Sequence, residues 1–281
     1  EHAALSETVT ACKQLGFPAL SGVANAILRR ATREKTEFQR TLNQAHGLPS
    51  WLYKRLKKDW PEQLDELCSA LKQTSAITLR VNQRKIGRDA YLAKLQAADI
   101  QAEACTVADA GIVLQQSVQI PELIGFNQGW FSVQDQHAQL CASLLPNLDG
   151  KVVVDACAAP GGKTAHLLEK FQPAHLIALD QDAKRLVRVE ENLQRLQLNS
   201  DKVQILAADA TTWTAPEPVD CIVLDAPCSA IGVLRRHPDI RLLRQSGDIA
   251  ETVALQKQIL QQMWSQLKVG GTLLYITCSI L

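Results

Sequence analysis

Apolar and polar residues alternate in blocks over the second half of the chain. Apolar runs of strand length lie at 152–156, 176–180, 203–207, 221–225 and 272–277. Apolar residues recur at helical spacing over 162–171, 182–197 and 249–267. Strands that alternate with helices predict an α/β fold with a doubly wound parallel sheet, and ligands of such sheets bind at the carboxyl ends of the strands.

The first half of the chain has a different pattern. Helical periodicity predicts two helices over 3–15 and 22–35, and a basic helical stretch over 46–73. From residue 76 the pattern changes to that of a small β-α-β-β unit. Its predicted elements are a strand at 77–82, a helix at 88–98 and strands at 101–106 and 112–116.

Composition narrows the class of protein. Hydrophobic residues make up 46% of the 281 residues and charged residues 21%, which is typical of a folded globular protein and excludes wholesale disorder. No apolar run approaches the ~20 residues that cross a membrane, and no secretory signal pattern is visible. The 8 cysteines are scattered without a C-x-x-C pair, so we expect a cytoplasmic protein with reduced thiols and no metal site.

The net charge of +1 does not by itself indicate a polyanionic partner. The basic residues are clustered, however, around Arg30, around Lys54 and Arg55, and around Arg235 and Arg236. Such clusters are typical of surfaces that follow a phosphate backbone, although a solvated helix face explains any one of them about as well. Both interpretations stay open at this point.

A glycine-containing loop, Cys157-Ala-Ala-Pro-Gly-Gly-Lys163, joins the first predicted strand of the sheet to its helix. Glycines at such a turn allow the backbone to approach a ligand, and the helix start offers unpaired N–H groups. The loop has neither the G-x-G-x-x-G pattern of dinucleotide binders nor the first glycine of a P-loop. A dehydrogenase and a nucleotide hydrolase are therefore disfavoured.

Successive predicted strands of this sheet deliver aspartates to the same edge, namely Asp155, Asp180, Asp209 and Asp225. One such residue is often only a helix cap, but a set in register predicts a ligand site. The carboxylate after the second strand typically binds a ribose diol. A crevice rich in carboxylates suits an adenosyl ligand that carries a positive sulfonium.

Cys228 and Cys278 directly follow the fourth and fifth predicted strands, and each precedes a serine. An isolated cysteine is usually a small core residue. Two cysteines at the polar edge beside the predicted cofactor loop instead indicate nucleophilic thiolate chemistry.

The strings DACAAPGGKT, LDAPCSAIGVLRRHPDIR and YITCS resemble the signature motifs of the RNA cytosine-5 methyltransferase (NOL1/NOP2/Sun) family, and most of all its bacterial RsmB/Fmu group, which acts on 16S ribosomal RNA. HAALSETV, LPSWLYKRLKKDWP and FSVQDQHAQL are also similar to that group, so the resemblance covers nearly the whole chain. It implies a Rossmann-like S-adenosylmethionine-dependent methyltransferase sheet, preceded by a small α+β accessory region and the end of a helical, NusB-like RNA-binding domain.

The resemblance also implies roles for single residues. Cys278 would add to C6 of a cytosine so that C5 attacks the methyl group of S-adenosylmethionine, and Cys228 would assist release, as a base for the C5 proton. Asp225 would bind the cytosine edge, and Lys163 would lie near the reacting base. The implied cofactor residues are Cys157, Ala158, Ala159, Pro160, Gly161, Gly162, Lys163, Asp180, Asp209 and Asp225. The expected RNA contacts are Arg235, Arg236, His237, Arg30, Lys54 and Arg55.

The resemblance divides the chain into residues 1–45, the end of the helical domain, 46–130, a helical linker with the accessory subdomain, and 131–281, the catalytic domain. We expect a fragment truncated at both ends, whose sheet stops after the fifth strand. The expected substrate is a single-stranded or looped cytosine of 16S ribosomal RNA, because the base must leave its stack to reach both thiols. The expected state is a monomer.

Other functions remain open. The same chemistry could act on transfer RNA or 23S ribosomal RNA. A DNA cytosine-5 methyltransferase would use Cys228 as nucleophile and leave Cys278 unexplained. A non-catalytic RNA-binding scaffold is disfavoured because every chemical group of the reaction is present.

Overall fold

A computed structural model describes residues 2–37 and 47–281, with the backbone alone for residues 2–4. The chain divides into two compact units, Glu1–Gln73 and Thr74–Leu281. Residue 46, where the basic helical stretch was expected to begin, and the expected domain boundary at 45/46 lie outside the described residues. The three-part division of the chain stays a prediction.

The first unit is helical in its described part. Its helices are α1 (His2–Gln14), α2 (Ser21–Arg33), α3 (Ser50–Asp59) and α4 (Leu64–Ala70), with a 3₁₀ turn at Pro18–Leu20 between α1 and α2. The stretch predicted as one helical segment over 46–73 is therefore two helices. The break follows from Pro61, because a proline disfavours the helical conformation of the residue before it, and Trp60 has an extended φ of −136°.

The smaller sheet of the second unit is antiparallel, in the order β2-β3-β1-β4. Its elements are β1 (Ile77–Val81), α5 (Arg88–Ala97), β2 (Ala102–Ala104), β3 (Gly111–Leu114) and β4 (Phe131–Val133). Leu79, Leu95 and Ile112 form its core with Tyr91 and Phe131, whose rings stack at 5.5 Å. The predicted β-α-β-β unit is confirmed, and β4 is an additional strand that the sequence pattern did not reveal.

The larger sheet is parallel throughout, in the order β7-β6-β5-β8-β9. Its strands are β5 (Val152–Ala156), β6 (His175–Asp180), β7 (Val203–Ala207), β8 (Val219–Asp225) and β9 (Leu267–Ile276). The helices of this region are α6 (Leu140–Ser143), α7 (Gly162–Lys170), α8 (Ala183–Leu196), α9 (Ile240–Leu243) and α10 (Asp248–Trp264). The last strand begins earlier than the predicted 272–277, and Gly270-Gly271, expected as a turn, lies inside it.

Helices cover both faces of the larger sheet because successive strand residues point to opposite sides. Val153 packs with Leu167 of α7 and Val189 of α8 on one face. Val154 packs with Ile259 of α10 on the other. The predicted doubly wound α/β fold is thus confirmed. The chain enters at the central β5, runs to β7 at one edge and crosses back to β8, so the switch in direction lies between β5 and β8, where such sheets bind ligands.

Within the described ranges, no helix is both long and apolar enough to cross a membrane. The same residues contain no group of three or more histidine, cysteine, aspartate or glutamate side chains that could hold a metal ion.

Candidate active site

A cavity of about 710 Å³ opens at the carboxyl ends of β5, β8 and β9. The larger sheet contributes the loop after β5, Asp225 at the end of β8 and Cys278 after β9. The smaller sheet contributes Thr78 of β1 and Gln134, which follows β4. Both sheets of the second unit therefore form the cavity wall.

The loop after β5 is held in place by its neighbours. The Ala158 N–H donates to the Leu179 carbonyl at 2.8 Å, and the side chains of Arg185 and Asn192 donate to the carbonyls of Ala159 and Pro160. The loop passes close to α8 at Gly161, where φ is +96° and an added Cβ would lie 3.0 Å from the Val189 Cα. Only glycine meets both conditions without strain.

Two of the expected cofactor carboxylates do not line the cavity. Asp180 is buried, and its oxygens accept hydrogen bonds from the N–H groups of Ala159 and Asp182, so the carboxylate holds the loop from behind. Asp209 is exposed and accepts two hydrogen bonds from Thr211, which lower its pKa. Direct contact of these two residues with a cofactor stays a prediction.

Asp155 does line the cavity, and its surroundings are unusual for a carboxyl group. It is fully buried, and one oxygen accepts a hydrogen bond from the Thr164 hydroxyl at 2.5 Å. The other oxygen, Oδ1, has no hydrogen-bond partner among the described residues. Burial raises the pKa of Asp155 to about 7. The carboxyl group is therefore partly protonated near neutral pH.

Lys163 and Asp225 form an ion pair in the cavity wall, with 2.5 Å between Nζ and Oδ2. Burial acts to lower the pKa of the Lys163 ammonium, but attraction to Asp225 outweighs it and the pKa is raised. The sequence predicted both residues in the site separately, and the structure brings them into direct contact.

The two cysteine side chains that follow β8 and β9 meet at the cavity. The sulfur atoms of Cys228 and Cys278 lie 3.3 Å apart, and the Cys278 N–H also donates to the Cys228 sulfur at 3.3 Å. The hydrogen bond from the Cys278 thiol lowers the pKa of Cys228 to about 6, against the opposite effect of burial. The pKa of Cys278 is raised, because the Cys228 thiolate holds its proton. The pair thus shares one proton near neutral pH.

A third cysteine at the cavity, Cys157, is in a different state. Its backbone is left-handed, with a φ of +61°, and burial raises the pKa of its thiol to about 12. A thiol in this state is a poor nucleophile. Direct contact of Cys157 with a cofactor stays a prediction.

Hydrogen bonds from Arg244 and between two serines fix the two cysteine loops. The Arg244 guanidinium donates to the carbonyls of Cys228 and Ser229 at 3.3 and 3.1 Å. The hydroxyls of Ser229 and Ser279 lie 2.6 Å apart. No sequence motif marks this role of Arg244, since a long-range contact to a carbonyl leaves no local pattern.

The expected RNA contacts separate into two groups. Arg235 and Arg236 line the cavity, and Arg236 forms an ion pair with Asp135 at 2.9 Å. His237 is exposed and does not line the cavity. The remaining contacts lie in the first unit, where Lys54 is exposed, Arg30 pairs with Glu34 and Arg55 pairs with Asp59.

The doubly wound sheet, its cofactor-type loop and the cavity at its carboxyl edge define a Rossmann-like methyltransferase fold. Residues 142–281 match the family model described as 16S rRNA methyltransferase RsmB/F, and residues 48–121 match the ferredoxin-like domain model of the same family. The chain belongs to the RsmB/F family, as its motifs predicted.

Two curated relatives agree with this assignment, and two solved structures share the fold. The proteins named ribosomal RNA small subunit methyltransferase B from Pseudomonas putida and Erwinia tasmaniensis are 48% and 46% identical to the chain, with all of it aligned. The chain spans 65% and 66% of their lengths. The crystal structure of PH0851 has a TM-score of 0.83 and 25% identity, over 97% of this chain and 63% of the other. NSun6 from Pyrococcus horikoshii with SFG has a TM-score of 0.72 and 21% identity, over 83% and 84%.

Proposed function

We propose that the protein transfers a methyl group from S-adenosylmethionine to C5 of a cytosine in 16S ribosomal RNA, through a covalent bond between Cys278 and C6. The observation that carries the proposal is the contact between Cys228 and Cys278 at the wall of the cavity. The relatives named above support ribosomal RNA as the substrate.

The cavity fits the cofactor in its shape and its donor set. The loop 157–162 would hold the cofactor with its backbone, since the tight passage of Gly161 against Val189 keeps side chains away from the turn. The start of α7 offers free N–H groups at the same place. The unpaired Oδ1 of Asp155 and the carboxylate of Asp225 would offer hydrogen-bond acceptors to the cofactor and suit its positive charge. When bound, S-adenosylmethionine supplies an electrophilic methyl group.

The two thiols have different roles in the reaction because only one of them is ionised at a time. As the Cys278 sulfur adds to C6, its proton passes to the Cys228 thiolate across the 3.3 Å contact. A new S–C6 bond then makes C5 nucleophilic. After the methyl transfer, the Cys228 thiol first gives its proton to solvent. The resulting thiolate then accepts the C5 proton, and the S–C6 bond breaks to release Cys278.

Lys163 and Asp225 orient the base. Asp225 accepts a hydrogen bond from the cytosine edge, and Lys163 holds the carboxylate in place through their ion pair. Arg235 and Arg236 line the cavity and would hold phosphates next to the displaced base. All these groups come from one unit of one chain, which supports action as a monomer. We place the reaction in the cytoplasm, where the free thiols of the chain would stay reduced.

Covalent trapping tests the mechanism. RNA that carries 5-azacytidine at the target blocks release, so the wild-type protein should form an adduct that survives denaturing electrophoresis. Cys278→Ala should abolish the adduct. Cys228→Ala should retain it or accumulate it, because the nucleophile remains while release slows. An adduct that persists in Cys278→Ala and disappears in Cys228→Ala would overturn the assignment.

Methyl transfer tests the substrate. Labelled S-adenosylmethionine is incubated with the protein and 30S-derived RNA from a strain that lacks the enzyme, and the modified positions are mapped. We expect 5-methylcytosine in 16S ribosomal RNA. Label that appears only in transfer RNA or 23S ribosomal RNA, or a protein that binds RNA without transferring methyl groups, contradicts the proposal.

A further inference from the structure

The side chain of Arg80, in the central strand β1 of the smaller sheet, is fully buried. Its Nε and Nη2 donate to the two carboxylate oxygens of Glu169 in α7, each at 2.8 Å. Its Nη1 donates to the side-chain oxygen of Gln134 at 2.5 Å and to the carbonyl of Gly162 at 2.7 Å. One guanidinium therefore connects the smaller sheet to both ends of α7.

Burial of such an ion pair is costly, because both charges lose their hydration and the attraction between them only offsets that loss. An apolar pair of similar size would pack the same space at least as stably. Stability therefore does not explain why a fully buried Arg80 faces an almost fully buried Glu169. The contacts of the third nitrogen, Nη1, offer another reason.

Both acceptors of Nη1 belong to the cavity wall. Gly162 is the first residue of α7, and Lys163 follows it directly. Gln134 also lines the cavity, and its Nε2 donates to no residue in the described part of the chain. An added Cβ on Gly162 would lie 3.7 Å from that Nε2, so the two groups are neighbours. By fixing the Gln134 oxygen, Arg80 fixes the direction of its free amide donor as well.

We propose that Arg80 is a positioning residue for the cofactor loop. It fixes the distance between the Gly162 carbonyl and the Gln134 amide. At that distance, the start of α7 and the side chains of the smaller sheet can contact the same ligand. Glu169 keeps the guanidinium in the orientation that reaches both groups. This inference rests on the proposed binding of S-adenosylmethionine in the cavity.

A double variant separates positioning from stability. Arg80→Met alone leaves the buried Glu169 without its partner, so it should strongly destabilise the protein. Arg80→Met combined with Glu169→Leu removes both charges and should melt close to the wild-type temperature. Its affinity for S-adenosylhomocysteine, measured by calorimetry, should nevertheless fall about tenfold, equivalent to about 1.4 kcal/mol. In methyl transfer, the KM for the cofactor should rise more than kcat falls.

Arg84→Met is the matched control. Arg84 also ties the smaller sheet to α7, but through the carbonyl of Phe171 at the far end of that helix, at 2.8 Å. Its removal should leave the affinity for S-adenosylhomocysteine unchanged. If the double variant does not fold, the affinity of Arg80→Lys for S-adenosylhomocysteine tests the inference instead. Lysine keeps the charge against Glu169 but cannot reach all the acceptors of the guanidinium, so we expect a folded protein with weakened binding.

The outcomes are distinct. Weakened binding in the double variant, or in Arg80→Lys, with a normal melting temperature supports the inference. Wild-type affinity in either folded variant overturns it and leaves Arg80 a structural residue, while the proposed function stands. A wild-type protein that does not bind S-adenosylhomocysteine overturns the proposed function and this inference with it.

Discussion

Replacement of Asp155 by asparagine should change how the stability of the protein depends on pH. The carboxyl group is fully buried and its pKa is raised to about 7. In the unfolded chain the same group ionises near its ordinary pKa of about 4. Between these two values the folded state binds the proton and the unfolded state does not. The stability of the wild-type protein should therefore decrease as the pH rises from about 4 to about 7, and the loss should be complete above pH 7.

The expected magnitude follows from the two pKa values. A span from about 4 to about 7 at 1.36 kcal/mol per pH unit gives a total of about 4 kcal/mol, of which about 3 kcal/mol falls between pH 5 and pH 8. The asparagine side chain would not titrate in this range, so the variant should gain about 3 kcal/mol relative to wild type between those two pH values. The hydrogen bond from Thr164 in the wild type is already included in the pKa of about 7, and a hydrogen bond between Thr164 and the asparagine would not titrate.

Urea unfolding, followed by circular dichroism at pH 5 and pH 8, measures this difference. The slope of the unfolding free energy against urea should be the same for both proteins, which shows that the same surface is exposed. The groups whose pKa depends on the charge of Asp155, such as Cys157 and Lys163, titrate well above pH 8. The other titrating groups are shared by the two proteins and cancel in the comparison. A stability difference between Asp155→Asn and wild type that is equal at both pH values, or that favours the variant more at pH 5, would refute the reasoning.

Further predictions concern the cysteine pair and the glycines of the site. The rate of alkylation by iodoacetamide should show one thiolate, Cys228, with a midpoint near pH 6. Cys278→Ala should move this midpoint towards the ordinary pKa of a cysteine, because the hydrogen bond from Cys278 is the first cause of the lowered pKa. An unchanged midpoint in Cys278→Ala contradicts this reasoning. Gly232→Ala should reduce adduct formation severalfold, since the new Cβ would lie 2.7 Å from the Cys278 carbonyl. Gly247→Ala should leave adduct formation unchanged, because its new Cβ would meet no atom within 4 Å. Equal effects of Gly232→Ala and Gly247→Ala would exclude the steric explanation. Gly161→Ala should weaken S-adenosylhomocysteine binding and lower stability by about 1–2 kcal/mol through left-handed strain, and a variant with wild-type affinity argues against a backbone-lined cofactor loop.

The sequence predicted those parts of the site that depend on local patterns of residues. The loop from Cys157 to Lys163 and the cysteines at 228 and 278 each directly follow an apolar strand, and parallel strands bring their carboxyl ends to one edge. The meeting of Cys228 and Cys278 therefore follows from the pairing of β8 with β9. Strand type and order of elements were predictable for the same reason.

The parts that the sequence did not reveal depend on contacts between distant segments. Strand β4 has only three residues, too few for a periodic pattern, and exists because Phe131 and Val133 pair with β1. The position of Asp180 at a strand end was predictable, but the direction of its carboxylate depends on the Ala159 N–H. Arg80 lies in an alternating strand pattern that marks it as one more sheet residue, and only the packing of α7 against β1 gives it a role.

The distribution of the cavity wall along the chain also determines when the site can exist. Thr78, near the start of the second unit, and Cys278, after its last strand, border the same space. In a chain emerging from the ribosome, the residues of β1, β4 and the loop after β5 are all made well before those of β9, because synthesis runs from the N-terminus. Cys278, the proposed nucleophile, joins the cavity wall only when β9 pairs with β8. During synthesis, the proposed cofactor-binding residues after β5 are therefore present before the proposed reactive thiol.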